Sequence, residues 1–78
     1  MQFPNRAAWL DARLSERGWN KHDLSGNGGP NHKTTQKILD GLNVQEDVLR
    51  KVALGLNAYY DSNGHRLAKV KLTDIPRD

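Results

Sequence analysis

The apolar residues of the chain recur at helical spacing in two separate stretches. Ala7, Leu10 and Leu14 lie on one face of a pattern that follows Asn5 and stops at Gly18. A stronger stripe has the same period and consists of Val48, Leu49, Val52, Ala53 and Leu56. The stripes predict two amphipathic helices, of which the second should be the best packed in the protein.

A pair of shorter helices is predicted between these stripes. Asn20 is a favourable N-cap, and Asp23 lies where a carboxylate can complete a capping box. The segment 28–30, with the sequence Gly-Gly-Pro, then interrupts the helical pattern. Asn31 can cap a second short helix, and Gly41 can end it.

The same helical faces predict which side chains are buried. Ile38 should point inward from the second short helix, and Trp9 and Trp19 are expected in the core rather than in a binding role. The arginines expected to face mostly outward are Arg6, Arg13 and Arg17. Asn43 is expected to cap the last helix, with Glu46 completing its capping box.

The last third of the chain has the two-residue period of a strand. Asn63 and Gly64 form a strong hairpin-turn pair, with strand-prone or alternating apolar residues on both sides. These residues are Tyr59, Tyr60, Ala68, Val70 and Leu72. The pattern predicts a C-terminal β-hairpin, with a fifth helix from Arg66 to Leu72 as the alternative. Ile75, Pro76 and the charged end are expected to form a frayed tail.

The fold class predicted from these elements is mainly α, with four helices and a C-terminal β-hairpin in one compact unit. A chain of 78 residues is one domain with a small core. It has no cysteine, which excludes disulfides and thiolate metal sites. No stretch approaches the roughly 18 apolar residues of a membrane span, and the first residues do not resemble a signal peptide. The cytoplasm is therefore the expected location.

The spacing of polar residues gives little support to catalysis or metal binding. His22, His32 and His65 are far apart in the sequence, whereas zinc ligands usually occur in tight pairs. Ser25 and Ser62 lack the context of an activated nucleophile. We therefore expect no enzyme activity, no metal site and no cofactor.

The second short helix carries a basic face. The net charge of the chain is only +3, but no carboxylate occurs from Leu24 to Leu39. Lys33 and Lys37 are four residues apart and so share one face of the helix. A short helix whose exposed face bears amines, amides and hydroxyls suits the major groove of DNA.

The stretch from Asn20 to Gly41 resembles the lambda-repressor-like helix-turn-helix family of the Cro and Xre type, small transcriptional regulators of phages and bacteria. The positions that match its register are Asn20, Leu24, Gly29, Asn31, Ile38 and Gly41. Ser25 and Thr35 depart from it, since relatives have a small apolar and an aliphatic residue there. The resemblance implies a helix-turn-helix DNA-binding domain in residues 1–57, with Gly29 at the turn, and an extension in residues 58–78.

The resemblance also implies a role for individual side chains. The residues implied to contact bases are His32, Lys33 and Lys37. Those implied to contact the DNA backbone, or to support the base contacts, are Lys21, Asn31, Thr34 and Gln36. The expected function is sequence-specific binding of double-stranded DNA as a Cro-type repressor, in a nucleoid-associated fraction of the cytoplasm, or in the host cytoplasm if a phage encodes it.

Two alternatives for the function stay open, together with the oligomeric state. The protein could be an excisionase-like or antitoxin-type DNA-binding factor, or a module that uses this fold to hold a protein partner. A weak homodimer through Tyr59, Tyr60, Val70 and Leu72 is expected, because one short helix contacts only a few base pairs. The competing hypothesis is that these side chains cover the core of their own domain. If the hairpin serves the dimer, deleting residues 57–78 should leave the helical part folded.

Overall fold

Four α-helices and one short 3-10 turn account for the regular structure in the described part of the chain. The computed structural model describes residues 5–58 and 70–76. The helices are α1 (Arg6–Arg17), α2 (Lys21–Gly26), α3 (His32–Leu39) and α4 (Glu46–Leu56), and the 3-10 turn is Leu72–Asp74. The mainly α class predicted from the sequence is confirmed. None of these helices is long and apolar enough to cross a membrane.

Asparagine side chains cap the first three helices. Asn5 Oδ1 accepts a hydrogen bond from the backbone N–H of Ala8 at 2.8 Å. Asn20 Oδ1 accepts from the N–H groups of His22 and Asp23, and the Asp23 carboxylate accepts from the Asn20 N–H at 2.8 Å. The predicted capping box of α2 is therefore confirmed.

The second predicted capping box is wrong. Helix α4 begins only at Glu46, with Gln45 at the N-cap position and no side-chain capping bond. A box from Asn43 would require Glu46 in the third helical position, but it occupies the first. Glu46 and Asp47 instead place two carboxylates in the first turn, where the helix dipole favours negative charge.

Gly28 and Gly29 are required for different reasons in the turn between α2 and α3. Gly28 has the left-handed φ of 97°, and the N–H of Gly29 donates to the Leu24 carbonyl at 2.9 Å. The left-handed position is therefore Gly28 and not Gly29, which the sequence placed at the turn. At Gly29 an added Cβ would lie 2.6 Å from Leu24 Cγ. A Cβ on Gly55 of α4 would in turn lie 2.8 Å from Gly29 Cα, so α4 crosses the turn at backbone contact.

The core lies where α1, α2, α3 and α4 meet, and it includes residues from the end of the chain. Its buried members are Trp9, Leu10, Leu14, Leu24, Ile38, Val52, Ala53, Leu56, Val70 and Ile75. Ile38 is 2% exposed, and Trp9 is also buried, as predicted. Trp19 is half-buried and packs against this core.

Two of the three arginines expected to face outward are buried. Arg17 Nε donates to the carbonyl of Leu56 at 3.1 Å, and its Nη1 donates to the Arg13 carbonyl at 2.8 Å. A cation at the last carbonyl of α4 satisfies that group and offsets the negative end of the helix dipole. Arg6 Nε donates to the Pro76 carbonyl at 2.8 Å. The Leu56 carbonyl lies 39 residues from Arg17, and the Pro76 carbonyl lies 70 residues from Arg6. Helical periodicity alone could not indicate partners so far away in the sequence.

The C-terminal segment differs from the prediction wherever the structure describes it. Leu72–Asp74 forms a 3-10 turn instead of continuing a strand, and no strand occurs in residues 5–58 or 70–76. Tyr59, Tyr60, the proposed turn at 63–64 and most of the alternative helix lie outside the described residues. Ile75 is 7% exposed and belongs to the core, so the predicted frayed tail is wrong at this position.

Val70 and Leu72, two of the four residues expected in a dimer contact, cover their own domain. Val70 is buried and Leu72 packs against the core. This agrees with the competing hypothesis for these two side chains. The expectation that residues 57–78 are dispensable for folding is also revised, because their removal would take Val70 and Ile75 out of the core.

Candidate nucleic-acid interface

Helix α3 has one buried face and one open face. Thr35 and Ile38 are buried against the rest of the domain, and the Thr35 hydroxyl lies 3.5 Å from the Pro30 carbonyl. Lys33 and Lys37 are exposed on the same helix. The two lysines therefore project from α3 as their four-residue spacing predicts.

The remaining candidate residues sit around the first turn and the side of α3. Asn31 is exposed, and its Oδ1 accepts from the Lys33 N–H at 2.8 Å. Its side chain is thereby engaged as the N-cap of α3. His32, Thr34 and Gln36 are each half-buried.

Lys21 and Gln36 connect α2 with α3. Lys21 Nζ donates to Gln36 Oε1 at 2.9 Å, and Gln36 Nε2 donates to Asp40 Oδ1 at 2.8 Å. The amide thus presents its oxygen to a cation and its N–H to a carboxylate, which is the only orientation that satisfies both neighbours. This chain of bonds fixes the side of α3 next to α2 and holds the Lys21 ammonium beside the open face.

The carboxylates of Asp23 and Asp40 each accept a hydrogen bond. Asp23 caps α2, and Asp40 accepts from Gln36. The ion pairs within the described ranges join Glu16 to two arginines of α1, and Glu46 to an arginine of α4. Within the same ranges Lys33 and Lys37 form no ion pair, so their charges remain available to an anionic partner.

His22 and His32 meet at the edge of this face. They lie in the first turns of α2 and α3, and their ring centroids are 4.5 Å apart with an interplanar angle of 35°. Partial burial, followed by the charges of His22, Lys21 and Lys33, lowers the pKa of His32 from its usual 6.5. Removal from water is the larger cause, and the neighbouring positive charges act in the same direction.

The sequence did not indicate this histidine pair. Ten residues separate the two imidazoles, and their contact depends on how α2 packs against α3. The one usable sequence feature is that each histidine follows closely on an asparagine N-cap, Asn20 or Asn31. No group of three or more metal-ligand residues occurs within residues 5–58 and 70–76.

A groove beside the face separates α1 from the start of α2. Its volume is about 360 Å³, and its lining includes Asp11, Ser15, Trp19, Lys21 and His22. Asp11 therefore places one acidic residue of α1 at the same groove as Lys21 and His22. We use "the α3 face" below for the surface formed by Lys21, His32, Lys33, Thr34 and Lys37.

Comparison with known proteins adds no further evidence. No protein-family model, curated protein sequence or solved structure matches the chain.

Proposed function

We propose that the protein binds double-stranded DNA in a sequence-specific manner, with α3 in the major groove. The observation that carries the proposal is the α3 face, where exposed lysines that form no ion pair within residues 5–58 and 70–76 project from a helix whose other side is anchored in the core. An α-helix with its side chains is about 10–12 Å in diameter, which fits the major groove at a width of about 12 Å. The α2–turn–α3 arrangement supports α3 as the recognition helix of a helix-turn-helix.

The side chains of the α3 face have distinct roles in this proposal. His32, Lys33 and Lys37 contact base edges, because they project from α3. Lys21 contacts a backbone phosphate while it braces Gln36, since an ammonium has three donors and Gln36 takes only one. Thr34 lies close to the DNA backbone. Asn31 and Gln36 support these contacts from within the protein.

Repression by exclusion follows from this mode of binding. A domain seated in the major groove of a promoter blocks the access of RNA polymerase to the same DNA. We therefore propose a transcriptional repressor of the Cro type that acts in the cytoplasm. The resemblance of residues 20–41 to the lambda-repressor-like family supports this proposal.

The salt dependence of DNA binding tests the proposal. Each phosphate neutralised by a cation contributes about 0.9 to the slope of log affinity against log salt concentration. Wild-type protein should show a steep slope on a mixed-sequence duplex, and Lys33→Ala with Lys37→Ala should reduce it. Lys51→Ala, which removes an exposed lysine of α4, is the matched control. Salt-independent binding, or no binding at low salt, would contradict the proposal and favour a protein partner.

A further inference from the structure

The imidazoles of His22 and His32 are close enough to influence each other's charge. Their centroids are 4.5 Å apart, and each ring belongs to a different helix. Two imidazolium ions at this distance repel one another unless an anion lies nearby. A charge on His22 therefore disfavours protonation of His32 in the free protein.

The charged groups around the pair are two lysines and two aspartates. On α2 they are Lys21 and Asp23, on α3 Lys33, and on α1 Asp11, which lines the groove with His22. The Asp23 carboxylate is bonded to the Asn20 N–H. No ion pair within the described ranges includes either imidazole. Two lysines thus oppose protonation of His32, and no carboxylate in the described ranges forms an ion pair with it.

We propose that DNA binding at the α3 face takes up a proton on His32, which lies against His22, so that affinity for DNA rises as the pH falls. This inference rests on the proposed function, because it requires phosphates at the α3 face. Phosphate groups remain anionic from about pH 5 to about pH 8, and at the α3 face they supply negative charge beside the imidazoles. The lowered pKa of His32 supports this view, since a group that is neutral at pH 7 in the free protein has a proton to gain.

The sign of the pH dependence follows from linkage. The pKa of His32 is lowered in the free protein and raised when phosphates approach, so the complex holds more protons between these two values. In that window the association constant for DNA increases as the pH falls, by up to about tenfold per pH unit for each proton taken up. Above the pKa that His32 has in the complex, its imidazole is neutral in both the free protein and the complex, and the affinity no longer depends on pH. Below the pKa that His32 has in the free protein, its imidazole is protonated in both forms, and the affinity is again independent of pH.

Proton uptake can be measured directly. Calorimetry with a short mixed-sequence duplex, in two buffers of different ionisation enthalpy at about pH 6.5, should give net proton uptake on binding. Affinity measured from about pH 8 to about pH 5 should rise accordingly. His32→Gln and His22→Gln should each flatten this dependence, whatever their absolute affinity. His65→Gln, at the third histidine of the chain, should preserve it.

A second measurement needs no DNA and isolates the histidine pair. NMR titration of the imidazole C–H resonances in the full chain should show a higher pKa for His32 in His22→Gln than in wild type, because one cationic neighbour is gone. An unchanged titration of His32 would overturn the coupling. DNA binding that depends on salt but not on pH would overturn proton linkage and leave the proposed function intact. Absence of DNA binding under all conditions would overturn both.

Discussion

Asn57 holds the main chain of Val70 by two hydrogen bonds. Its Oδ1 accepts from the Val70 N–H at 2.8 Å, and its Nδ2 donates to the Val70 carbonyl at 2.9 Å. A single side-chain amide thus pairs with both polar backbone groups of one residue, as a neighbouring strand would do. It fixes the chain next to the end of α4 and brings Val70 and Ile75 onto the core.

Removing this amide should destabilise the domain. Asn57→Ala leaves the partly buried backbone groups of Val70 without these partners, and we expect a loss of about 1–3 kcal/mol in the free energy of unfolding. Urea denaturation followed by circular dichroism would measure the change. Asn43→Ala is the matched control, because Asn43 is exposed and caps no helix. Equal stability of the two variants would show that the two hydrogen bonds of Asn57 to Val70 do not stabilise the domain.

Local sequence signals were sufficient for the helices but not for the C-terminal segment. The caps at Asn20 and Asn31, and the stop at Gly41, were predictable because their hydrogen bonds span only a few residues. The burial of Ile75 depends on contacts far apart in sequence, such as the bond from Arg6 to the Pro76 carbonyl. A short apolar alternation cannot distinguish a strand from an extended segment that simply covers the core.

The candidate site was predictable to a similar extent. Lys33 and Lys37 were identified by their spacing on one helix, and the structure leaves both exposed. The contacts of Lys21 with Gln36 and of His22 with His32 join different helices. Periodicity within a helix defines its faces, but the angle between two helices is set by packing.

The turn between α2 and α3 predicts opposite effects for two glycine substitutions. Gly29→Ala places a methyl group 2.6 Å from Leu24 Cγ and 2.8 Å from the Leu24 carbonyl oxygen, so we expect a loss of about 1–3 kcal/mol. Gly26→Ala introduces no contact within 4 Å at the end of α2 and should stabilise the protein by up to about 1 kcal/mol. Thermal and urea unfolding of both variants would measure the difference. A destabilising Gly26→Ala paired with a neutral Gly29→Ala would contradict the packing of the turn.

The buried face of α3 predicts a large loss of stability for one aliphatic truncation. Ile38→Ala should cost about 2–5 kcal/mol, because the side chain is 2% exposed and its removal leaves a cavity. Leu54→Ala is the matched control on α4, where the side chain is 66% exposed, and should change stability by less than about 0.5 kcal/mol. In a domain of this size the first variant can approach complete unfolding. An unchanged melting temperature for Ile38→Ala would show that the faces of α3 are reversed.

Lys33 should contribute to sequence discrimination, whereas Lys21 should contribute equally to the affinity for all DNA sequences. Lys33 is exposed on α3 without an ion pair in the described ranges, so in the proposed complex it contacts base edges. Lys33→Ala should then reduce discrimination by about 1–3 kcal/mol at one or two base pairs. Lys21 Nζ donates to Gln36 Oε1 at 2.9 Å, and in the proposed complex Lys21 contacts a backbone phosphate. Lys21→Ala should therefore weaken all sequences to a similar degree and lower the salt slope by about one.

Selection of binding sites from random DNA, repeated for wild type and both variants, separates these outcomes. The preferred sequence should change at defined positions for Lys33→Ala and stay the same for Lys21→Ala. Gln36→Ala tests the hydrogen bond between Lys21 and Gln36, because it removes the acceptor and leaves the charge of Lys21 in place. It should retain the salt slope and lose part of the sequence preference, since the side of α3 is no longer fixed. A uniform loss of affinity from Lys33→Ala, with the preferred sequence unchanged, would assign that lysine to the DNA backbone.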